Sequence, residues 1–180
     1  MLLSFAVLTL AVYAAHPESI ANAQTLTDKF GGFSTNSNAP INIEADVLKV
    51  NDQKKTAVFS GNVKAAQGDF VLRSKTLEVF YQGGPSAKGA GSKVSKLKAK
   101  GAVLISTKDD QSATSDWADF DVTKQVIVLG DKVVLTQGGN VIRGGRLIID
   151  LKTRTSRFDN TRQKKGRVQM KVDVTRPKKN

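Results

Sequence analysis

Ser74-Lys75-Thr76-Leu77-Glu78-Val79-Phe80 alternates apolar and polar residues with a period of two, and the chain repeats the pattern with variations. Ala45-Asp46-Val47-Leu48-Lys49-Val50-Asn51, Ser115-Asp116-Trp117-Ala118-Asp119-Phe120-Asp121 and Gly144-Gly145-Arg146-Leu147-Ile148-Ile149-Asp150 share its frame. Each places an apolar residue at its fourth and sixth positions: Leu48 and Val50, Leu77 and Val79, Ala118 and Phe120, Leu147 and Ile149. Successive side chains of a strand point to opposite faces, so each copy has one apolar face. Partner segments close on Gly-x-Val or a near variant: Phe59-Ser60-Gly61-Asn62-Val63, Ala99-Lys100-Gly101-Ala102-Val103 and Val128-Leu129-Gly130-Asp131-Lys132-Val133. Repeated hairpins of this kind predict an all-β stack, in which a unit buries its apolar face only against its neighbours.

The segments between these strands read as reversals. Asn51-Asp52-Gln53-Lys54-Lys55, Asp121-Val122-Thr123-Lys124-Gln125 and Asp150-Leu151-Lys152-Thr153-Arg154-Thr155 occupy equivalent places, and Asx side chains suit a polar hairpin turn. Further alternation runs through Ile41-Asn42-Ile43-Glu44, Phe70-Val71-Leu72-Arg73 and Arg167 to Val174. Gly83 to Ser92 is one long glycine-rich loop inside a repeat, an excursion from a continuous stack. No amphipathic helix is predicted after the N-terminal segment.

That segment, residues 1–23, reads as a signal peptide. Leu2 to Ala15 is apolar, and Ala21-Asn22-Ala23 has the form of a cleavage site. A retained anchor helix is the alternative, but His16-Pro17-Glu18 interrupts the run short of the roughly 20 residues that a membrane span needs. Export to the periplasm is expected. Residues 24–40 read as a flexible lead-in, 41–174 as the folded domain and 175–180 as a basic tail.

Composition narrows function by exclusion. The chain has 180 residues, no cysteine and one histidine, His16, inside the expected signal peptide. The mature protein therefore lacks thiolate chemistry, the usual general base and the commonest zinc ligand. No enzyme, cofactor or metal is expected, and no Walker A loop is present, so any energy source lies in a partner. Net charge is +12, and Lys152 to Asn180 holds eleven Lys and Arg against Asp159 and Asp173. Such a face suits a polyanion, and for an exported protein phosphorylated lipid is a better target than nucleic acid. For the last five residues, a tail that merely maintains solubility is the better reading.

One apolar face per strand requires closure as a sandwich, jelly roll or barrel. With eight Phe, one Trp and two Tyr, large fillers are scarce. That composition fits either an internal groove or a plain core of branched aliphatics. Trp117 falls on the polar parity of its segment, which marks either a partly exposed aromatic or a break in register.

Pro40-Ile41-Asn42-Ile43-Glu44-Ala45-Asp46, Phe59-Ser60-Gly61-Asn62-Val63 with Gln67-Gly68, and the strand Ser74 to Tyr81 resemble the LptA family of OstA-like periplasmic bridge proteins in lipopolysaccharide transport. The resemblance covers roughly Pro40 to Phe158. It implies a single open, twisted β-jellyroll whose interior holds the acyl chains of lipid A. It also implies an inner-membrane anchored partner at the N-terminal edge, an outer-membrane translocon at the C-terminal edge, and end-to-end homo-oligomers. On this basis Ile41 and Ile43 line the groove entrance, and Leu48, Val50, Phe59, Val63, Phe70, Leu72, Leu77 and Val79 follow. Val103, Ile105, Phe120, Val128, Leu147 and Ile149 join them by repeat parity alone, and a one-residue slip would turn any of them outward. Two other functions stay open: a β-jellyroll scaffold or adaptor of the same machinery, favoured if the N-terminal helix is uncleaved, and a polysaccharide-binding solenoid. The solenoid would need exposed aromatic ladders, for which this chain has few residues.

Overall fold

A computed structural model describes residues 40–82, 93–107, 111–160 and 166–173. The expected signal peptide, nearly all of the lead-in, the loop Gly83 to Ser92 and the basic tail lie outside the described residues. Among the described residues ten strands form one antiparallel sheet: β1 (Asn42–Glu44), β2 (Val47–Asn51), β3 (Thr56–Gln67), β4 (Phe70–Gln82), β5 (Lys93–Ser106), β6 (Gln111–Asp121), β7 (Val126–Gln137), β8 (Asn140–Asp150), β9 (Thr155–Asp159) and β10 (Gln169–Lys171). From β3 to β8 each strand pairs with the one before it. β1 and β2 pair with successive stretches of β3, and β10 and β9 do the same along β8. The sheet is open, as the sequence predicted, with β1 and β2 on one edge and β9 and β10 on the other.

The three equivalent turns share one local device. Lys54, Lys124 and Thr153 donate backbone N–H groups to Asn51 Oδ1 (2.9 Å), Asp121 Oδ1 (2.9 Å) and Asp150 Oδ1 (2.8 Å). Each turn ends on a left-handed residue: Lys55, Gln125 and Arg154 at φ 51, 58 and 56°. The Thr153 N–H on Asp150 holds that carboxyl below its ordinary range, with help from Lys152. A lowered carboxyl contributes stability above its unfolded pKa and loses it as pH falls through the folded value. An NMR titration should therefore show Asp150 protonating below a free aspartate, and Thr153→Pro, which removes that N–H, should raise its midpoint.

A seam of bulges crosses every long strand. β3, β5 and β7 each insert a left-handed pair: Gly61-Asn62 (φ 78 and 46°), Gly101-Ala102 (81 and 49°) and Asp131-Lys132 (59 and 50°). Each pair faces a single residue of the following strand: Lys75, Asp116 or Gly145. In β4 and β6 the buried parity flips at the seam, from Ser74 to Leu77 and from Ser115 to Ala118. Both serines turn their hydroxyls onto the backbone, Ser74 Oγ donating to Thr76 O (3.0 Å) and Ser115 Oγ to Trp117 O (2.9 Å).

The seam divides the sheet into a half that carries β2 and β9 and a half that carries β1 and β10. Their apolar faces meet in one core that joins residues of both. Registers trace its rungs. Leu48, Phe59, Leu77, Ala99, Ala118, Leu129, Leu147 and Phe158 lie in line across the first half. Ile43, Ala65, Leu72, Ile105, Ala113, Leu135, Ile142 and Met170 do so across the second.

Candidate functional site

The inner face of the folded sheet is the candidate site. Of the residues expected there, Val63, Phe70, Leu72, Leu77, Val79, Val103, Ile105, Phe120, Leu147 and Ile149 are buried in the core. Ile41, Ile43 and Phe59 are partly buried and pack against it. Leu48 and Val50 pair with Phe59 and Ala57, which puts them on the inner face, yet they are 54% and 52% exposed. They lie on an edge strand, with no further strand beyond them among the described residues. Met170 has the matching position at the opposite edge, paired with Ile142 and 62% exposed. The inner face is thus apolar through its middle and open at both edges.

Val128 is a correction. Ile127 and Leu129 are buried on either side of it, and Val128 pairs with Asp119 and Ile148 on the outer face. The error came from matching Gly130 to Gly61. The true counterpart of Gly61 is Asp131, the left-handed first residue of its bulge, so Leu129 and not Val128 corresponds to Phe59. Asp reaches the left-handed region more readily than most residues.

Gly130 has a different reason to be glycine. The Trp117 indole lies over it, where a Cβ would overlap the ring, and Trp117 Nε1 donates to Asp131 Oδ2 (3.0 Å). Trp117 is therefore both of the things its parity allowed, a partly exposed outer-face aromatic and a residue at a register break. The same alignment yields residues that the sequence reading missed: Leu97, Ala99, Ile127, Leu129, Val133 and Leu135, all buried. Counting two residues back and two forward from each bulge's first residue finds Ala99, Leu129 and Val133.

The segment Ile41 to Asp46 meets Phe59 to Val63 at one junction. Asp46 sits between β1 and β2, donates its N–H to Gly61 O (3.0 Å) and accepts from Asn62 Nδ2 (2.9 Å). Its carboxylate rests where a Gly61 side chain would start. On the outer face, charged residues pair across strands, with Lys64–Glu44 at 3.5 Å and Lys132–Asp116 at 3.5 Å. Exposed pairs of this kind add little stability.

Between the two halves Phe70, Leu72, Leu77, Leu97, Ile105 and Phe120 help enclose about 20 Å³, space on the scale of one water. That space is too small for a long apolar ligand.

Residues 42–155 match the family model described as LptA/(LptD N-terminal domain) LPS transport protein. An uncharacterized protein of Rhizobium meliloti (strain 1021) is 34% identical over 164 residues, 90% of this chain and 86% of the relative. The LPS-assembly protein LptD of Neisseria gonorrhoeae is 36% identical over 67 residues, 37% of this chain and 8% of that protein. LptD of Chromobacterium violaceum is 44% identical over 57 residues, 32% and 7% of the two. The chain thus spans less than a tenth of either LptD. Among solved structures, LptH of Pseudomonas aeruginosa, described as the LptA-homologous periplasmic component of the conserved lipopolysaccharide transport device, shares the fold. Its TM-score is 0.63 at 20% identity, over 76% of this chain and 97% of that one.

Proposed function

The chain belongs to the LptA/(LptD N-terminal domain) family of LPS transport proteins, and from that premise we propose that it is a periplasmic bridge segment that shields the acyl chains of lipopolysaccharide. The observation that carries this reading is the inner face itself. It is apolar over most of its rungs and ends at both edges in half-exposed apolar side chains, Leu48 and Val50 on one side and Met170 on the other. A second protomer, or another component with the same fold, would pair with an edge strand and continue the apolar face. On this proposal the inner-membrane partner meets the β1 and β2 edge and the outer-membrane partner the β9 and β10 edge.

The physical task is to remove a barrier. Each methylene kept from water is worth about 0.8 kcal/mol, so exposing one acyl chain of a dozen carbons costs on the order of 10 kcal/mol. A protein that offers a continuous apolar surface lowers that cost without chemistry. Because the space beside Leu77 and Phe120 is too small for an acyl chain, loading separates the two halves along the seam, where backbone pairing is already interrupted.

Photo-crosslinkers test the assignment. At Ile43 and Phe120 they should capture lipopolysaccharide, whereas at Val128, on the outer face, they should not. Capture at Val128 with none at the inner positions would overturn the trough. Ile43→Asp should weaken lipopolysaccharide binding by about tenfold or more while circular dichroism keeps its β signal, because Ile43 is only partly buried.

A further inference from the structure

The two ends of the inner face differ in chemistry. In the β2 half the rung nearest the turns is apolar, with Val50, Val79, Leu97, Phe120, Ile127 and Ile149. In the β1 half the last rung is amide-rich. Gln67 pairs with Phe70, and Gln111 pairs with Gln137, which pairs with Asn140. Thr107, two residues past the buried Ile105, bonds through its N–H to Gln111 O (3.0 Å). Gln111 shares the inward parity of Ala113 and is only 3% exposed. Its Oε1 is buried and has no hydrogen-bond partner among the described residues, and the same holds for Thr107 Oγ1. Native proteins keep few such groups, because each forfeits the hydration that a partner would replace.

We propose that Gln111, with Thr107 beside it, is a recognition point for a hydrogen-bond donor on an acyl chain, a hydroxyl near the chain's polar end. This rests on the inner face being an acyl trough and adds a direction to it. The head linkage lies at the rung of Gln111 and Gln137, and the tail runs over Leu72 and Ile105 toward the seam and the more apolar half. Gln111 Oε1 accepts from the hydroxyl, which would otherwise be buried unpaired in an apolar trough. An unsubstituted chain leaves the acceptor unmet and binds less well.

Competition between a fluorescent fatty-acid probe and two acids tests this on the full chain. β-Hydroxymyristic acid should compete roughly three- to tenfold better than myristic acid, the range of one neutral hydrogen bond. Gln111→Leu should bring the ratio to about one while keeping the affinity for myristic acid, and should raise the melting temperature of the unliganded protein. Gln111→Met serves where leucine disturbs folding. A preference that survives in these variants, or a variant that melts lower and loses both acids equally, overturns the proposal. Native protein that takes lipopolysaccharide and both acids without preference sinks this inference alone. Native protein that takes none of them removes the trough reading and this inference with it.

Discussion

Gly61→Val is expected to destabilise the protein by roughly 3 kcal/mol or more, whereas Gly68→Ala should lose about 1 kcal/mol. Both glycines are left-handed, at φ 78 and 57°. Gly68 sits in the two-residue turn between β3 and β4, with open space where a Cβ would go. Its substitution carries only the conformational penalty. At Gly61 the new side chain also occupies the place of the Asp46 carboxylate. Asp46 must leave, and with it go the bond from Asn62 and the junction that sets β1 and β2 along β3. Urea melts of the two variants decide the matter. Equal losses would show that Asp46 does not organise the edge.

The second large effect is on assembly. Leu48→Asp combined with Val50→Asp should leave the fold intact and reduce both self-association and lipopolysaccharide binding by about a hundredfold. The folding cost is small because both side chains are already about half exposed. The functional cost is large because covering two such side chains is worth roughly 1.5–3 kcal/mol each, and each factor of ten in affinity takes 1.4 kcal/mol. Sedimentation across a concentration series and lipopolysaccharide binding should fall together. A double variant that still associates like the native protein would place the interface elsewhere.

Much of this was legible in the residues. Period-two alternation at Leu77 and Val79, or Leu147 and Ile149, specified strands, and Asn51, Asp121 and Asp150 marked the reversals between them. The motif at Ile41 to Asp46 and Phe59 to Val63 specified the family, and the junction at Asp46 gives the physical reason that these segments travel together. What the sequence concealed was the seam. Alternation assumes a constant pleat, but β4 and β6 change parity between Ser74 and Leu77 and between Ser115 and Ala118, while β7 carries its bulge on Asp131 instead of on Gly130. Val128 was therefore misassigned and Leu129 overlooked. Edge exposure was equally invisible. Leu48 and Phe59 look alike in pattern, and only the position of β2 outside β3 separates a half-exposed side chain from a better-covered one.

The strand order also bears on how the chain reaches its shape. From β3 onward to β8, each strand pairs with its immediate predecessor. Pairing between neighbours in sequence closes short loops first, which favours faster folding than the distant pairings of most β sandwiches. A polypeptide that emerges N-terminus first would meet, at every hairpin, a template already made. The last strand to arrive would be the one at the far edge.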